Sequence, residues 1–229
     1  MKILKKILKI KFVNKIILNF FVKLHNFSYK IISRLAILEN GGIHPKHKIM
    51  NYHKFFIDNI GSSDEILDIG SGKGENAYDI AHKAKKVLGI DIIENNIKTA
   101  KEKYHLACRQ AGKENLEFLL GDATKYNFVQ KFDKIVLSNV LEHIENRIDF
   151  LQSLHNISDV ILLRVPMIDR DWLSVYKKNK GFEYRLDNTH FIEYTLDELK
   201  DELKNAGWKI ENYSIQFGEF WGVIKNYDK

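Results

Sequence analysis

Three glycines at alternate positions most constrain how this chain can fold. Gly70, Gly72 and Gly74 follow a short apolar run with an acidic residue (65–69), and residues 76–84 have a helix-compatible composition. Glycine permits positive φ and lets a ligand approach the main chain without meeting a Cβ. A helix N-terminus beyond the loop offers unpaired N–H groups and a partial positive charge. The stretch therefore predicts a strand, a tight turn and a helix start that bind a ligand.

The spacing of these glycines separates two classes of nucleotide-binding loop. A dinucleotide fingerprint needs its third glycine at position 75, where this chain has Glu75. The loop instead resembles motif I of the class I S-adenosylmethionine (SAM)-dependent methyltransferases, and reads Asp68-x-Gly70-x-Gly72-x-Gly74. The resemblance implies that this loop, Ser71 included, wraps the amino acid end and the ribose of SAM.

The next two predicted strands (86–91 and 115–123) also end in acidic residues. Asp91 lies 21 residues after Gly70, where a carboxylate can accept hydrogen bonds from both ribose hydroxyls. A helix N-cap role for Asp91 is the alternative. The resemblance implies that Ile92 flanks the adenine and that Asp122 and Ala123 read its edge.

The fourth predicted strand (132–138) runs into Asn139-Val-Leu-Glu142-His143, which resembles the ubiquinone-biosynthesis type of methyltransferase. Asn139 is then expected beside the cofactor. His143 is the candidate general base, because imidazole accepts a proton near neutral pH, and Glu142 is its candidate partner. The alternative is that both residues only orient the loop. Some relatives bind a divalent metal here, but Asn139 replaces their first carboxylate. No metal is therefore predicted, and a metal at Glu142, His143 and His190 is the less favoured alternative.

The remaining patterns complete an α/β, Rossmann-like fold. An apolar strand (159–166), a capping box at Thr195 and Glu198 and two closing strands (208–217 and 220–225) follow in order. Together they predict a seven-stranded, mostly parallel sheet with an antiparallel last strand, preceded by N-terminal helices. The resemblance covers residues 60–225.

A long insertion at residues 167–194 is the predicted acceptor site, since connections of this length are usually functional. Aromatic platforms with arginines and acids suit a sugar. The alternative is that its aromatic residues pack on the sheet. The candidate substrate residues are Arg170, Trp172, Tyr176, Tyr184, Arg185 and His190.

The net charge of +6 is unevenly distributed along the 229 residues. Residues 1–60 carry 12 lysines and arginines against 2 acids, and the rest carries 24 against 28. We divide the chain into a basic amphipathic arm (1–27), a helical cap (28–60) and a catalytic domain (61–229). The arm is predicted to lie on anionic lipid, or alternatively to dock on protein. Its uncharged stretches are too short to span a bilayer.

A SAM-dependent methyltransferase acting on a hydroxyl of a glycan or lipid-linked sugar is the function that these features favour. A lipid phenol of the quinone type and a non-catalytic binding module are the alternatives. Nucleic acid is not an expected partner, because the arm alternates lysine with aliphatic residues and the body is acidic. The lone Cys108 suits a cytoplasmic location, either free or peripheral at the inner face of the membrane.

Overall fold

A seven-stranded sheet organises most of the computed structural model, which describes residues 11–42, 44–105 and 114–227. Its spatial order is β3-β2-β1-β4-β5-β7-β6, with β7 antiparallel to both of its neighbours. The predicted fold class is therefore confirmed. The strands are β1 (Glu65–Ile69), β2 (Lys86–Asp91), β3 (Leu116–Leu120), β4 (Lys134–Ser138), β5 (Val160–Pro166), β6 (Trp208–Gln216) and β7 (Glu219–Asn226).

The parallel strands bring four loops to one edge of the sheet. β5 is buried after its first residue, as a strand covered on both faces should be. Its neighbour β4 and the adjacent β1 and β2 run in the same direction. The segments that follow β1, β2, β3 and β4 therefore emerge together at the carboxyl edge, where open α/β sheets bind their ligands.

Helices connect and flank these strands. The predicted capping box is present at the start of the penultimate connection, where the Glu198 amide donates to Thr195 Oγ1 at 3.2 Å and Glu198 Oε2 accepts from the Thr195 amide at 2.8 Å. A π-helical turn, Lys101–His105, follows the fifth helix. The α-helices are α1 (Lys11–Glu39), α2 (Lys46–Met50), α3 (Tyr52–Asp58), α4 (Glu75–Ala81), α5 (Glu94–Ala100), α6 (Arg147–Ser153), α7 (Trp172–Asn179) and α8 (Leu196–Asn205).

The chain divides into two compact units, and the smaller contains the described residues up to Asn51 together with Tyr176–Tyr184. Within it α1 continues past residue 27, the predicted end of the arm. Asn26 accepts a hydrogen bond from Lys177 Nζ at 2.7 Å and donates one to the Glu183 carbonyl at 2.9 Å. Residues 1–10 of the arm lie outside the described residues. None of the described helices is long and apolar enough to cross a lipid bilayer.

The larger unit contains the sheet and its apolar core. Trp208 is fully buried at the start of β6 and donates its indole N–H to the Leu151 carbonyl at 2.9 Å. Its ring stacks on His155 with centroids 4.3 Å apart. These contacts fix α6 against the closing strands.

Candidate active site

The three glycines of the loop between β1 and α4 have different structural roles. Gly70, Gly72 and Gly74 have φ values of 69°, 57° and 89°. A Cβ at Gly70 would lie 2.4 Å from Val140 Cγ2, and a Cβ at Gly74 would lie 2.7 Å from Phe118 Cζ. A Cβ at Gly72 would meet nothing within 4 Å. Gly70 and Gly74 therefore permit close packing, whereas Gly72 leaves the main chain open to a ligand.

Asp91 ends β2 beside this loop and is 7% exposed. Its Oδ2 accepts a hydrogen bond from the Gly72 amide at 2.9 Å, and its Oδ1 accepts one from the Ile93 amide at 2.7 Å. These bonds hold the carboxylate in place and leave it lone pairs for ligand hydroxyls. Ile93 occupies the N-cap position of α5, so Asp91 is not the N-cap residue of the alternative interpretation.

A cavity of about 660 Å³ opens at the carboxyl ends of the first four strands. This volume is within the range of small-ligand sites. Apolar side chains that include Val140, Phe150 and Phe191 form much of its wall. Six of the predicted site residues line it: Gly70, Asp91, Ile92, Asp122, Ala123 and His143.

Asp122 lies in this cavity wall, on the turn that follows β3. The Thr124 hydroxyl donates to Asp122 Oδ1 at 2.6 Å and lowers the pKa of the carboxyl, and Lys125 Nζ lies 3.0 Å from Oδ2. Asp122 is therefore ionised at neutral pH and can accept a hydrogen bond from an amino group.

The residues around the cavity fit the SAM that the resemblance implies. Gly72 leaves space at the main chain, and Asp91 keeps acceptor capacity for ribose hydroxyls. The Ile92 side chain is 66% exposed at the cavity, where an apolar group can cover an adenine face. Asp122 supplies an acceptor at the same wall.

His143 follows β4 on a short 3₁₀ turn (Leu141–His143) and lines the cavity. Burial lowers the pKa of His143, and the nearby His190 lowers it further. The imidazole is consequently neutral at pH 7, which is the form that can take a proton.

The hydrogen bonds of His143 determine which ring nitrogen carries its proton. Thr189 Oγ1 donates to Asp187 Oδ1 at 2.8 Å and lies 3.0 Å from His143 Nδ1. The Thr189 amide lowers the pKa of Asp187, so that carboxylate only accepts. The Thr189 hydroxyl has one proton, and it donates that proton in the hydrogen bond to Asp187. Thr189 Oγ1 can therefore only accept at His143, so Nδ1 of His143 carries the ring proton. The free lone pair of His143 is then on Nε2.

Glu142, His143 and His190 form a compact group, each offering one ligand atom within 4.8 Å of the others. Both Glu142 carboxylate oxygens are buried and make no hydrogen bond with any residue that the structure describes, and burial raises the pKa of Glu142 to about 8. His190 Nδ1 lies 3.1 Å from Glu193 Oε1, and the His143 and His190 rings meet edge to face at 4.6 Å. Each imidazole has its Nδ1 next to a hydrogen-bond partner, Thr189 Oγ1 for His143 and Glu193 Oε1 for His190. Together with the Glu142 carboxylate, the two histidines could hold a divalent metal.

Comparison with known proteins decides the family. Residues 60–205 match the sequence model of a family described as a methyltransferase domain. The chain belongs to this methyltransferase family. The assignment confirms the predicted enzyme class, a SAM-dependent methyltransferase, and its predicted cofactor.

Two individual relatives match this methyltransferase at 33% and 29% identity. An uncharacterized protein of Methanocaldococcus jannaschii is 33% identical, over 68% of this chain and 69% of that protein. A ubiquinone biosynthesis O-methyltransferase of Rickettsia bellii is 29% identical, over 71% of this chain and 65% of that protein.

Solved structures share the fold at low identity. A SAM-dependent methyltransferase from Clostridium acetobutylicum superposes with a TM-score of 0.61 at 14% identity, over 87% of this chain and 99% of that chain. Magnesium protoporphyrin IX methyltransferase from Synechocystis, solved with bound S-adenosylhomocysteine (SAH), gives 0.60 at 18% identity, over 79% and 83% of the two chains.

Three predicted cofactor residues of the methyltransferase, Asp68, Ser71 and Asn139, are not among the residues that line the cavity. Asp68 is buried with Oδ2 unpartnered, and burial with the nearby Asp91 raises the pKa of Asp68 to about 8. The Ser71 carbonyl accepts a hydrogen bond from the Gly74 backbone amide. Asn139 has a φ of 55° and donates its amide to the Arg164 carbonyl. These residues shape the loops, and their contact with cofactor stays a prediction.

The insertion residues selected as substrate candidates are not among the residues that line this cavity. Arg170 forms a buried ion pair with Glu193, and Arg185 donates to the His190 carbonyl at 2.7 Å. Trp172 is 75% exposed. Tyr176 and Tyr184 belong to the smaller unit. Phe191, which sequence reasoning did not select, is the insertion residue in the cavity wall.

A buried polar group near the ends of β4 and β5 was also missed by sequence reasoning. Arg164 pairs with Glu219 of β7 and donates to Ser138 Oγ at 3.2 Å. Its guanidinium lies 3.9 Å from the centre of the Tyr52 ring. The Nη2 atom of Arg164 and the indole nitrogen of the adjacent Trp221 are buried, and neither has a hydrogen-bond partner in the described part of the chain. The available signal was one arginine inside an apolar strand.

Proposed function

We propose that this methyltransferase transfers the methyl group of SAM to a hydroxyl of a small-molecule acceptor. The observation that supports this most directly is His143, a neutral imidazole at the cavity with its Nδ1 held and its Nε2 lone pair free. An oxygen acceptor needs such a base more than an amine or a thiol does, because a hydroxyl retains its proton at neutral pH.

Residues on three loops are proposed to hold the cofactor. Asp91 binds the ribose hydroxyls, and the main chain at Gly72 receives the amino acid end. Ile92, Asp122 and Ala123 surround the adenine. All but Gly72 line the same cavity, and Gly72 is hydrogen-bonded to Asp91.

Bound SAM would supply an electrophilic methyl group for in-line transfer to the acceptor oxygen, with SAH as the leaving group. The chain's own contribution is then proximity and proton removal. His143 Nε2 takes the hydroxyl proton, while Thr189 and Asp187 keep the ring in its Nδ1–H tautomer and stabilise the resulting imidazolium. The apolar side chains of Phe191 and Val140, which lie in the cavity wall, limit the access of water to the reacting atoms.

The acceptor that we infer is a glycan or a lipid-linked sugar. Support comes from two sequence features. The insertion (167–194) has the aromatic and charged composition that suits a sugar, and the basic N-terminal arm (1–27) is the segment that we infer contacts anionic lipid at the inner face of a membrane. A lipid phenol is the second candidate, favoured by the similarity to the Rickettsia bellii ubiquinone biosynthesis O-methyltransferase.

Cofactor binding is tested by calorimetric titration of the full chain with SAH, with NADH alongside. We expect micromolar binding of SAH, at least about tenfold weaker in Asp91→Ala because two hydrogen bonds to hydroxyls are lost. Asp201→Ala, an exposed acid on α8, is the matched control and should bind as the wild type does. Binding unaffected by Asp91→Ala would contradict the assigned ribose site.

Acceptor class is tested with methyl-labelled SAM against a panel of sugars, lipid-linked sugars and phenols. His143→Gln should lower the rate on the accepted compound by about 10²–10⁴-fold, the usual contribution of a general base. The exposed His82→Gln is the control. A rate unchanged by His143→Gln would exclude the base role.

A divalent metal at Glu142, His143 and His190 is the alternative use of the same group. Its support is the unpartnered Glu142 carboxylate within reach of both histidines. Equilibrium dialysis against Mn²⁺ and Zn²⁺, followed by elemental analysis, tests it. Stoichiometric retention lost in Glu142→Gln would favour the metal, and equal retention by both proteins would exclude the site.

A further inference from the structure

Helix α1 presents a continuous apolar stripe to solvent. Six residues share one face at about 100° per residue, and each side chain is at least 43% exposed. These residues are Ile16, Phe20, Leu24, Phe27, Leu35 and Leu38, and we call them the α1 stripe. Single exposed apolar residues are ordinary, but a row this long marks an interaction surface.

Part of the opposite face of α1 packs within its own unit, although Tyr29 on that side is 54% exposed. Val22 is 6% exposed, and Asn26 is bonded to Lys177 and to the Glu183 carbonyl. On a helical wheel Val22 lies roughly opposite Phe20 and Phe27. The α1 stripe is therefore a face of the helix that the packing around Val22 and Asn26 leaves exposed.

The charges on α1 indicate what covers the stripe. Lys23, Lys30 and Arg34 are exposed along one edge, and Glu39 is the helix's one acidic residue. A second copy of the chain would bring these cations together without acids to pair them. An anionic lipid surface instead receives lysine and arginine at headgroup level and apolar side chains just below it.

We propose that the α1 stripe with its basic edge docks on an anionic lipid bilayer, the helix lying in the plane of the interface. The contact extends through Leu38, beyond the arm of residues 1–27 and into the segment predicted as a cap. It extends the membrane contact in the proposed function, and its test needs no methyl transfer. Failure of lipid binding would leave the assignment of the cofactor and the base intact.

Co-sedimentation of the full chain with vesicles tests the proposal. We expect binding to phosphatidylcholine vesicles containing phosphatidylglycerol, and at least about tenfold weaker partitioning to phosphatidylcholine alone. Phe20→Ser/Phe27→Ser should lower the partition coefficient at least about tenfold, because two exposed phenyl rings no longer enter the interface. The matched control is Phe217→Ser/Val129→Ser, whose side chains are 63% and 96% exposed on the other unit.

Reversing charge separates the basic edge from the apolar stripe. Lys23→Glu/Lys30→Glu should weaken binding to anionic vesicles by a similar factor, whereas Lys98→Glu/Lys209→Glu, also exposed, should not. Equal loss in both charge variants, or equal binding to neutral and anionic vesicles, would overturn the proposal. So would light scattering that shows a dimer dissociated by Phe20→Ser/Phe27→Ser, since a second copy would then occupy the stripe.

Discussion

Gly72 and Gly74 share a left-handed backbone and differ in what surrounds them, which permits a paired test at the residue scale. Gly74→Ala should lower the free energy of unfolding by roughly 2–4 kcal/mol, because its Cβ would meet Phe118 at 2.7 Å and Ala100 at 3.0 Å. Gly72→Ala should cost about 1 kcal/mol, the backbone term alone. Urea unfolding monitored by circular dichroism gives both values.

The two alanine variants should affect cofactor binding in the opposite order to their effect on stability. Gly72→Ala places a methyl group in the space proposed for the ligand and should weaken SAH binding more than Gly74→Ala does in protein that remains folded. The reverse order would contradict the assignment of Gly72 as the open position.

The raised pKa of Asp68 predicts how the free energy of unfolding depends on pH. Burial, with the nearby Asp91, raises the pKa of Asp68 to about 8 in the folded chain, above its unfolded value of about 3.9. The folded state then binds the extra proton between these values, so the stability contributed by neutral Asp68 is present below about pH 4 and is lost as pH rises through 8.

Asp68→Asn cannot ionise and should lack this component. We expect the unfolding free energy of wild type relative to Asp68→Asn to fall between pH 5 and pH 9 by on the order of a few kcal/mol. Parallel urea titrations at several pH values measure the difference. Curves that stay parallel across this range would show that Asp68 is ionised in the fold.

At the scale of elements, the ion pair between Arg164 of β5 and Glu219 of β7 joins two central strands. Both side chains are almost fully buried, so removing one partner leaves an uncompensated charge in the core. Glu219→Gln should destabilise the chain by roughly 3–5 kcal/mol.

The control is an exposed pair on the same hairpin. Lys225 Nζ lies 2.5 Å from Glu211 Oε1 with both side chains more than 40% exposed, and Glu211→Gln should cost at most about 1 kcal/mol. Thermal and urea unfolding of the two variants compare the pairs directly. Equal losses would mean that burial does not set the value of the β5–β7 pair.

For the whole molecule, cofactor binding should appear as stability. A ligand that binds only the folded state adds about 2.7 kcal/mol at 100 times its dissociation constant. SAH should therefore raise the melting temperature of the wild type and of Asp201→Ala. Asp91→Ala should show a smaller increase at the same concentration, and an equal increase would place the binding energy elsewhere.

Local pattern was sufficient for the fold class and for the cofactor, whereas the assignment of individual loop residues to the cofactor stays a prediction. Alternating glycines after an apolar strand, acids at strand ends and the capping box at Thr195 are set by residues close in sequence. The spatial order of the strands came from the tertiary structure, although right-handed crossovers leave parallel strands few arrangements. Asp91, Asp122 and His143 reach the cavity because strand ends converge there.

Contacts between segments far apart in the sequence were decided by the tertiary structure alone. Arg164 meets Glu219 across 55 residues and Thr189 meets His143 across 46, and no periodicity encodes such pairs. The insertion residues chosen for their chemistry are not among those that line the cavity, because composition does not specify where a side chain points. The sequence by itself determined the fold and the cofactor class through short-range geometry. Packing determined the tautomer of His143, the burial of Glu142 and which face of α1 is open, because burial depends on the whole chain.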